Sequence, residues 1–306
     1  MMERLVLLGY TAGWRLVRLL PERAAYRLFE LIADVAWWRR GPGVRRLEAN
    51  LARAVPDADE ARLRELSRAG MRSYLRYWCE SFRLPSWSRA RIVEGKRLVG
   101  REHLDAALAA GRGVVGFLGH LGNWDHAGAW SGLEYAKVTT VAERLRPEEL
   151  FDAFVAYREQ LGMEILALTP RSGSTGGEDV FARLKGTLEG GGFVPLLADR
   201  DLTHSGVSVQ LLGEEASVAA GPAALALATG AVLLPVMLHY EQVRPGPSGW
   251  RSVFVVHPPV PEPADGTREE KLQAMTQACA DRLSETVRAH PADWHMLQKV
   301  FTRDLR

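Results

Sequence analysis

Residues 111–130 read GRGVVGFLGHLGNWDHAGAW, and this stretch decides the fold. The apolar run 113–118 (GVVGFL) predicts a buried strand that stops at Gly119-His120. Gly122-Asn123 then opens a helix over 123–134, with Asn123 as its cap. Sites in α/β folds lie where strands end and helices begin, so His120 stands at a mouth rather than inside an element.

Outward from this unit the pattern repeats. Strands are expected at 137–142, 163–168, 192–198, 207–212, 231–238 and 252–257. Helices are expected at 101–110, 147–161, 178–189, 221–229 and 266–289, with loops at 169–177 and 244–250. Upstream, 22–38, 44–56 and 58–84 read as helices, with Asp57 or Asp59 as a cap and Pro85 as a stop. The alternation predicts a single α/β domain over 1–306, in which helices flank a central, mostly buried β-sheet and N-terminal amphipathic helices precede it. The longest uncharged run, Ala216–Tyr240, is punctuated by Gly221-Pro222, Gly230 and Pro235, and reads as a buried helix and strand rather than a membrane span.

The 306 residues carry 39 Lys and Arg against 37 Asp and Glu, which excludes a polycation. The distribution is more telling. Residues 1–46 hold nine Arg against four acids, a net of +5, leaving 30 basic against 33 acidic residues and a net of −3 elsewhere. Within 22–38, Arg23, Arg27, Glu30 and Asp34 mark one face, and Ala24, Leu28, Leu31, Ile32 and Val35 the other. Trp37-Trp38 beside Arg39-Arg40 suits the headgroup level of a bilayer. Contact with an anionic membrane surface is expected, against the plainer reading of an arginine-decorated helical pair. No nucleic-acid module accompanies these cations. Cys79 and Cys279 have no metal-ligand spacing and suit a reducing compartment.

His120 and Asp125 form a His-x4-Asp pair. On one continuous helix five residues would turn them about 140° apart, so a direct contact requires a break at Gly122. An imidazole titrating near neutrality suits proton removal from a hydroxyl, and a nearby carboxylate fixes its tautomer. A second polar turn, Leu197–Gly206, offers Asp199 and Asp201 as alternative partners, with Arg200 facing an anionic substrate. Glu143-Arg144-Leu145-Arg146 follows the 137–142 strand and Arg158 lies further on; arginines there fit phosphate. There is no G-x-S-x-G elbow, Walker loop or dinucleotide fingerprint. His120, Asp125 and His126 lack an i, i+4 histidine pair, so no metal is expected.

With these residues assembled, the chain resembles the lysophospholipid acyltransferase superfamily, in the branch of lipid A biosynthesis acyltransferases and actinobacterial phosphatidylinositol mannoside acyltransferases. The resemblance rests on His120-Leu-Gly-Asn-Trp-Asp125, Glu143-Arg144 with Arg158, Ala198-Asp-Arg-Asp201, Gly221 and the apolar run behind it, Arg46 with Asn50-Leu51, and His290-Pro-Ala-Asp-Trp294. It implies acyl transfer from a thioester to a lipid hydroxyl, with His120 as general base and one of Asp125, Asp199 and Asp201 as its acid. Asn123, Trp124, Glu143, Arg144, Arg158 and Arg200 would contact substrate. The interrupted N-terminal segment and the A-D-R-D-L string favour the mannoside branch. The implied acceptor is a glycophospholipid and the donor acyl-CoA, palmitoyl-CoA above all, as co-substrate without a cofactor. The implied place is peripheral, on the cytoplasmic face of the cell membrane. A carrier-protein donor, as in lipid A acylation, and a lipid ester or thioester hydrolase are the alternatives.

Overall fold

In the computed structural model the residues described are 16–144, 148–168, 176–201, 206–243 and 248–305. The N-terminal part is helical: α1 (Glu22–Arg39), α2 (Pro42–Ala54), α3 (Glu60–Arg83) and α4 (Arg89–Glu94). Alternation then begins with β1 (Lys96–Val99), α5 (Arg101–Ala109), β2 (Val114–Leu118), α6 (Trp124–Glu134), β3 (Thr139–Glu143), α7 (Glu148–Gln160), β4 (Glu164–Leu168), α8 (Gly176–Glu189) and β5 (Phe193–Leu197). It continues with β6 (Val207–Leu211), β7 (Glu214–Val218), α9 (Gly221–Thr229), β8 (Val232–Gln242), β9 (Trp250–Val256), α10 (Arg268–Ala289) and α11 (Thr302–Leu305).

The predicted α/β architecture is present as a central mixed sheet of five strands flanked by helices, in the order β1-β9-β8-β2-β5. β2 sits between parallel neighbours, pairing Leu118 with Leu197 of β5 and Val114 with Val232 of β8. All five β2 residues are buried, which explains its continuous apolar reading. β8 and β9 run antiparallel, and this pairing carries β8 four residues past its predicted end, to Gln242. β3 and β4 form a separate parallel pair beside β5, tied to it by a Val138–Phe193 bridge. β6 and β7 are an antiparallel hairpin turned by Leu212 and Gly213, both at positive φ (55° and 92°), the geometry of a two-residue hairpin loop.

Four elements escaped the sequence pattern. β1 and α4 are only 4 and 6 residues long, α11 is 4, and β7 has charged Glu214 and Glu215 at its start. Pattern reading needs more residues than these supply. In α1 the packing face is not the larger aliphatic stripe. Ala25, Tyr26, Phe29 and Ala33 are buried, while Leu31, Ile32, Val35 and Trp38 are 62%, 43%, 40% and 76% exposed. The small Ala25 and Ala33 let α1 approach α3 closely. Its polar residues pin it there: Asp34 accepts from Arg68 and Arg72, both Nη2 at 2.6 Å, and Glu22 pairs with Arg91.

Candidate active site

Adjacent parallel strands end side by side, so the residues just beyond β2 and β5 meet. His120 Nδ1 lies 2.5 Å from Asp199 Oδ1. Asp199 Oδ2 accepts the His120 backbone N–H at 2.8 Å and the Trp294 Nε1–H at 3.1 Å. Burial pushes the Asp199 carboxyl up, but the His120 charge, the two His120 hydrogen bonds and Trp294 more than offset this and leave it below its usual value. A carboxylate only accepts, so His120 Nδ1 carries a proton, and Nε2 is the ring nitrogen not engaged by Asp199.

The turn between His120 and α6 needs a glycine. Gly122 has φ +52°, and a Cβ there would meet His239 N at 3.0 Å. Asn123 caps α6 as predicted, accepting the His126 N–H at 2.9 Å, while its Nδ2 donates to Glu80 Oε2 at 2.8 Å. Trp124 stands edge-on to the His120 ring, 5.6 Å between centroids, and packs on Tyr77 at 3.9 Å.

Asp125 does not bond His120. The first helical turn aims it at α3 and α7, where Oδ1 takes Arg158 Nε–H at 2.8 Å and Oδ2 takes Tyr77 Oη–H at 2.9 Å and Ser81 Oγ–H at 3.2 Å. Arg158, expected to hold phosphate, is thereby committed to an internal ion pair. Burial opposes its charge, but Asp125 prevails and holds the guanidinium above its ordinary value. Asp201, the other alternative acid, accepts the Gly206 N–H at 2.9 Å within its own turn. Arg144 lies on the surface, paired with Glu148 at 2.7 Å, and does not line the cavity beside His120. Arg146 lies outside the described residues. Glu143 and Arg200 do meet, at 3.2 Å, and Arg200 also bonds Gln298.

A cavity of about 440 Å³ opens at His120. Glu143, Arg200, His295 and Gln298 line it together with His120. Its apolar limb takes one face of the sheet, with Leu197, Leu118, Val236, Phe254 and Leu98 contributed by the five successive strands. Four strand spacings span about 19 Å. α6 roofs this limb with Ala127, Gly128 and Trp130.

Several residues here were not singled out as candidates. Tyr77, Glu80 and Ser81 sit in the C-terminal part of α3 with no local signal. Trp294 belonged to a noted signature, but its bond to Asp199 depends on a fold-back across 95 positions. That fold-back is dense: His295 N–H donates to His120 O at 2.8 Å, and Gly122 N–H to Asp293 O at 3.1 Å. Asn50 Nδ2 braces the same segment through Met296 O and Gln298 O, at 2.8 and 3.0 Å.

A half-buried imidazole on a buried carboxylate at a strand end, opening on a long apolar cavity, fits activation of a hydroxyl beside an acyl chain. The chain belongs to the bacterial lipid A biosynthesis acyltransferase family, whose family model matches residues 2–303, and it is an acyltransferase. It is 44% identical over 301 residues to the phosphatidylinositol mannoside acyltransferase of Mycolicibacterium smegmatis, covering 97% of this chain and 92% of that protein. It is 43% identical over 299 residues to the phosphatidylinositol mannoside acyltransferase of Mycobacterium tuberculosis, covering 97% and 89%.

Proposed function

We propose that the protein moves a long-chain acyl group, palmitoyl above all, from acyl-CoA to a mannose hydroxyl of a phosphatidylinositol mannoside. His120 Nε2 takes the hydroxyl proton as the oxygen attacks the thioester carbonyl. The tetrahedral intermediate collapses with loss of the CoA thiolate, which receives the proton from the imidazolium. Asp199 holds the ring in the productive tautomer and stabilises its charged form. The 2.5 Å contact between His120 Nδ1 and Asp199 Oδ1, at the head of the apolar limb, carries this reading. No acyl-enzyme is required, and acyl-CoA serves as co-substrate rather than cofactor.

The protein would work as a peripheral protein on the cytoplasmic face of the cell membrane. Supporting this, α1 turns Leu28, Leu31, Ile32, Val35 and Trp38 to solvent, with Arg27 and Arg39 exposed beside them. Among the described residues no helix is long and apolar enough to cross a membrane.

The test is acyl transfer by purified protein to a panel of mannosylated phosphatidylinositols, with palmitoyl-CoA and palmitoyl carrier protein compared as donors. Product mass identifies the acceptor. His120→Ala abolishes transfer; full activity in that variant would sink the assignment of His120 as base.

A further inference from the structure

Among the described residues, His295 lines the cavity and carries a buried polar atom with no partner. His295 is buried, 6% exposed, and its backbone joins that of His120, so two imidazoles flank one cavity. His295 Nε2 lies 3.0 Å from Ser73 Oγ, which lies 2.6 Å from Asp293 Oδ1. Asp293 Oδ2 accepts the Tyr240 backbone N–H at 2.8 Å. These contacts set a direction. Ser73 donates its only proton to the carboxylate, so it can only accept from His295, and Nε2 must carry the hydrogen. Nδ1 is then a bare lone pair, buried and without a partner among the described residues. Burial holds the ring neutral, pushing its pKa down to about 3.

Leaving a buried acceptor without a donor is costly, and native structures rarely do so without cause. The surroundings indicate the missing donor. Tyr74, Tyr77 and Trp124 wall the ring at 5.6, 6.1 and 6.1 Å between centroids, and all three line the cavity. An aromatic wall with one fixed acceptor suits a ligand that has apolar C–H faces and hydroxyl edges, which is the chemistry of a sugar ring.

We propose that His295 is an acceptor-binding residue, whose Nδ1 takes a hydrogen bond from a sugar hydroxyl neighbouring the one that His120 deprotonates. This rests on the transfer reaction proposed above. The lone pair would also take an amide N–H from the arm of the thioester donor, and the test separates these two sources.

His295→Gln keeps an amide near the Nε2 position, within reach of Ser73, and deletes the group at Nδ1. We expect the KM for phosphatidylinositol mannoside to rise about tenfold, the value of one neutral hydrogen bond, with the KM for palmitoyl-CoA and the melting temperature unchanged. His295→Asn places an amide near Nδ1 and should recover most of the acceptor KM. An unchanged acceptor KM in H295Q, or a rise confined to the donor KM, overturns the proposal. If both variants melt early, Ser73→Ala leaves the ring in place without its lock, and the acceptor KM should rise in the same way. Imidazole ¹⁵N spectra of the wild type, with the His295 signal assigned by difference, should show Nε2 protonated. Protonated Nδ1 would mean that the Asp293–Ser73 relay runs the other way, and would also overturn it. Wild-type protein that transfers to no mannoside removes the functional reading itself. A normal wild type beside an unaltered H295Q removes only the role of His295.

Discussion

His120 is separated from Asp125 by five residues and from Asp199 by seventy-nine, and the distant acid is the one that holds the ring. The motif made His120 legible as the proposed base, because a histidine between a buried strand and a capped helix has a recognisable sequence setting. Its partner was not legible, since the choice among Asp125, Asp199 and Asp201 depends on β2 lying next to β5. Two substitutions should separate the acids. Asp199→Asn removes the tautomer lock, so transfer should fall about 10³-fold with stability nearly intact. Asp125→Asn breaks a buried ion pair instead and should cost about 3 kcal/mol, seen as an early melt in denaturation. Its residual activity should keep the wild-type pH profile, because Asp125 does not touch His120, the proposed base.

At the scale of elements, the amphipathicity of α1 was plain in the sequence while its orientation was not. An apolar stripe ordinarily faces a core. Here the packing face is built from Ala25, Tyr26, Phe29 and Ala33, and the larger aliphatic stripe is left outside. Ion pairs hold it that way, since Asp34 and Glu22 are drawn to Arg68, Arg72 and Arg91 of α3 and α4. Leu31→Asp combined with Ile32→Asp should therefore leave the melting temperature within a few degrees of wild type. Co-sedimentation with anionic liposomes should fall severalfold in the same variant. Wild-type binding should weaken as salt is raised, because cations flank the stripe. Equal binding by the double variant would detach α1 from the membrane role. The strand-helix alternation from β2 to α10, β7 apart, was readable because each element is five or more residues long and evenly patterned; β1 and α11 lacked that length, α4 is short for a helix at 6 residues, and β7 opens on two glutamates.

For the molecule as a whole, pH stability follows from histidines buried in neutral form. Burial pushes His126 down to about 4, with its Nε2 turned to Ile92 O at 2.9 Å, and His295 down to about 3. An unfolded histidine takes its proton near pH 6.5. As pH falls below 6.5 the unfolded chain is protonated first, so stability declines from there to about pH 4 for His126 and further for His295. Each histidine should contribute about 1.4 kcal/mol per pH unit across its window. Denaturant midpoints measured between pH 7.5 and 4.5 should show this loss, and His126→Gln should flatten the curve. A midpoint independent of pH across this range would contradict the buried neutral state of both rings.

The fold-back of residues 293–298 also has a temporal meaning. Trp294 holds Asp199, His295 holds the His120 carbonyl, and Asn50 holds Met296 and Gln298. His120 and Asp199 thus receive their supports from residues made about 175 positions after His120. Contacts so distant in sequence form late, and a chain still on the ribosome with residue 290 just polymerised has neither Trp294 nor His295. Synthesis and competence are thereby separated. A half-made chain already carries His120, but that histidine stays unbraced until the residues that close over it have been translated and have folded home.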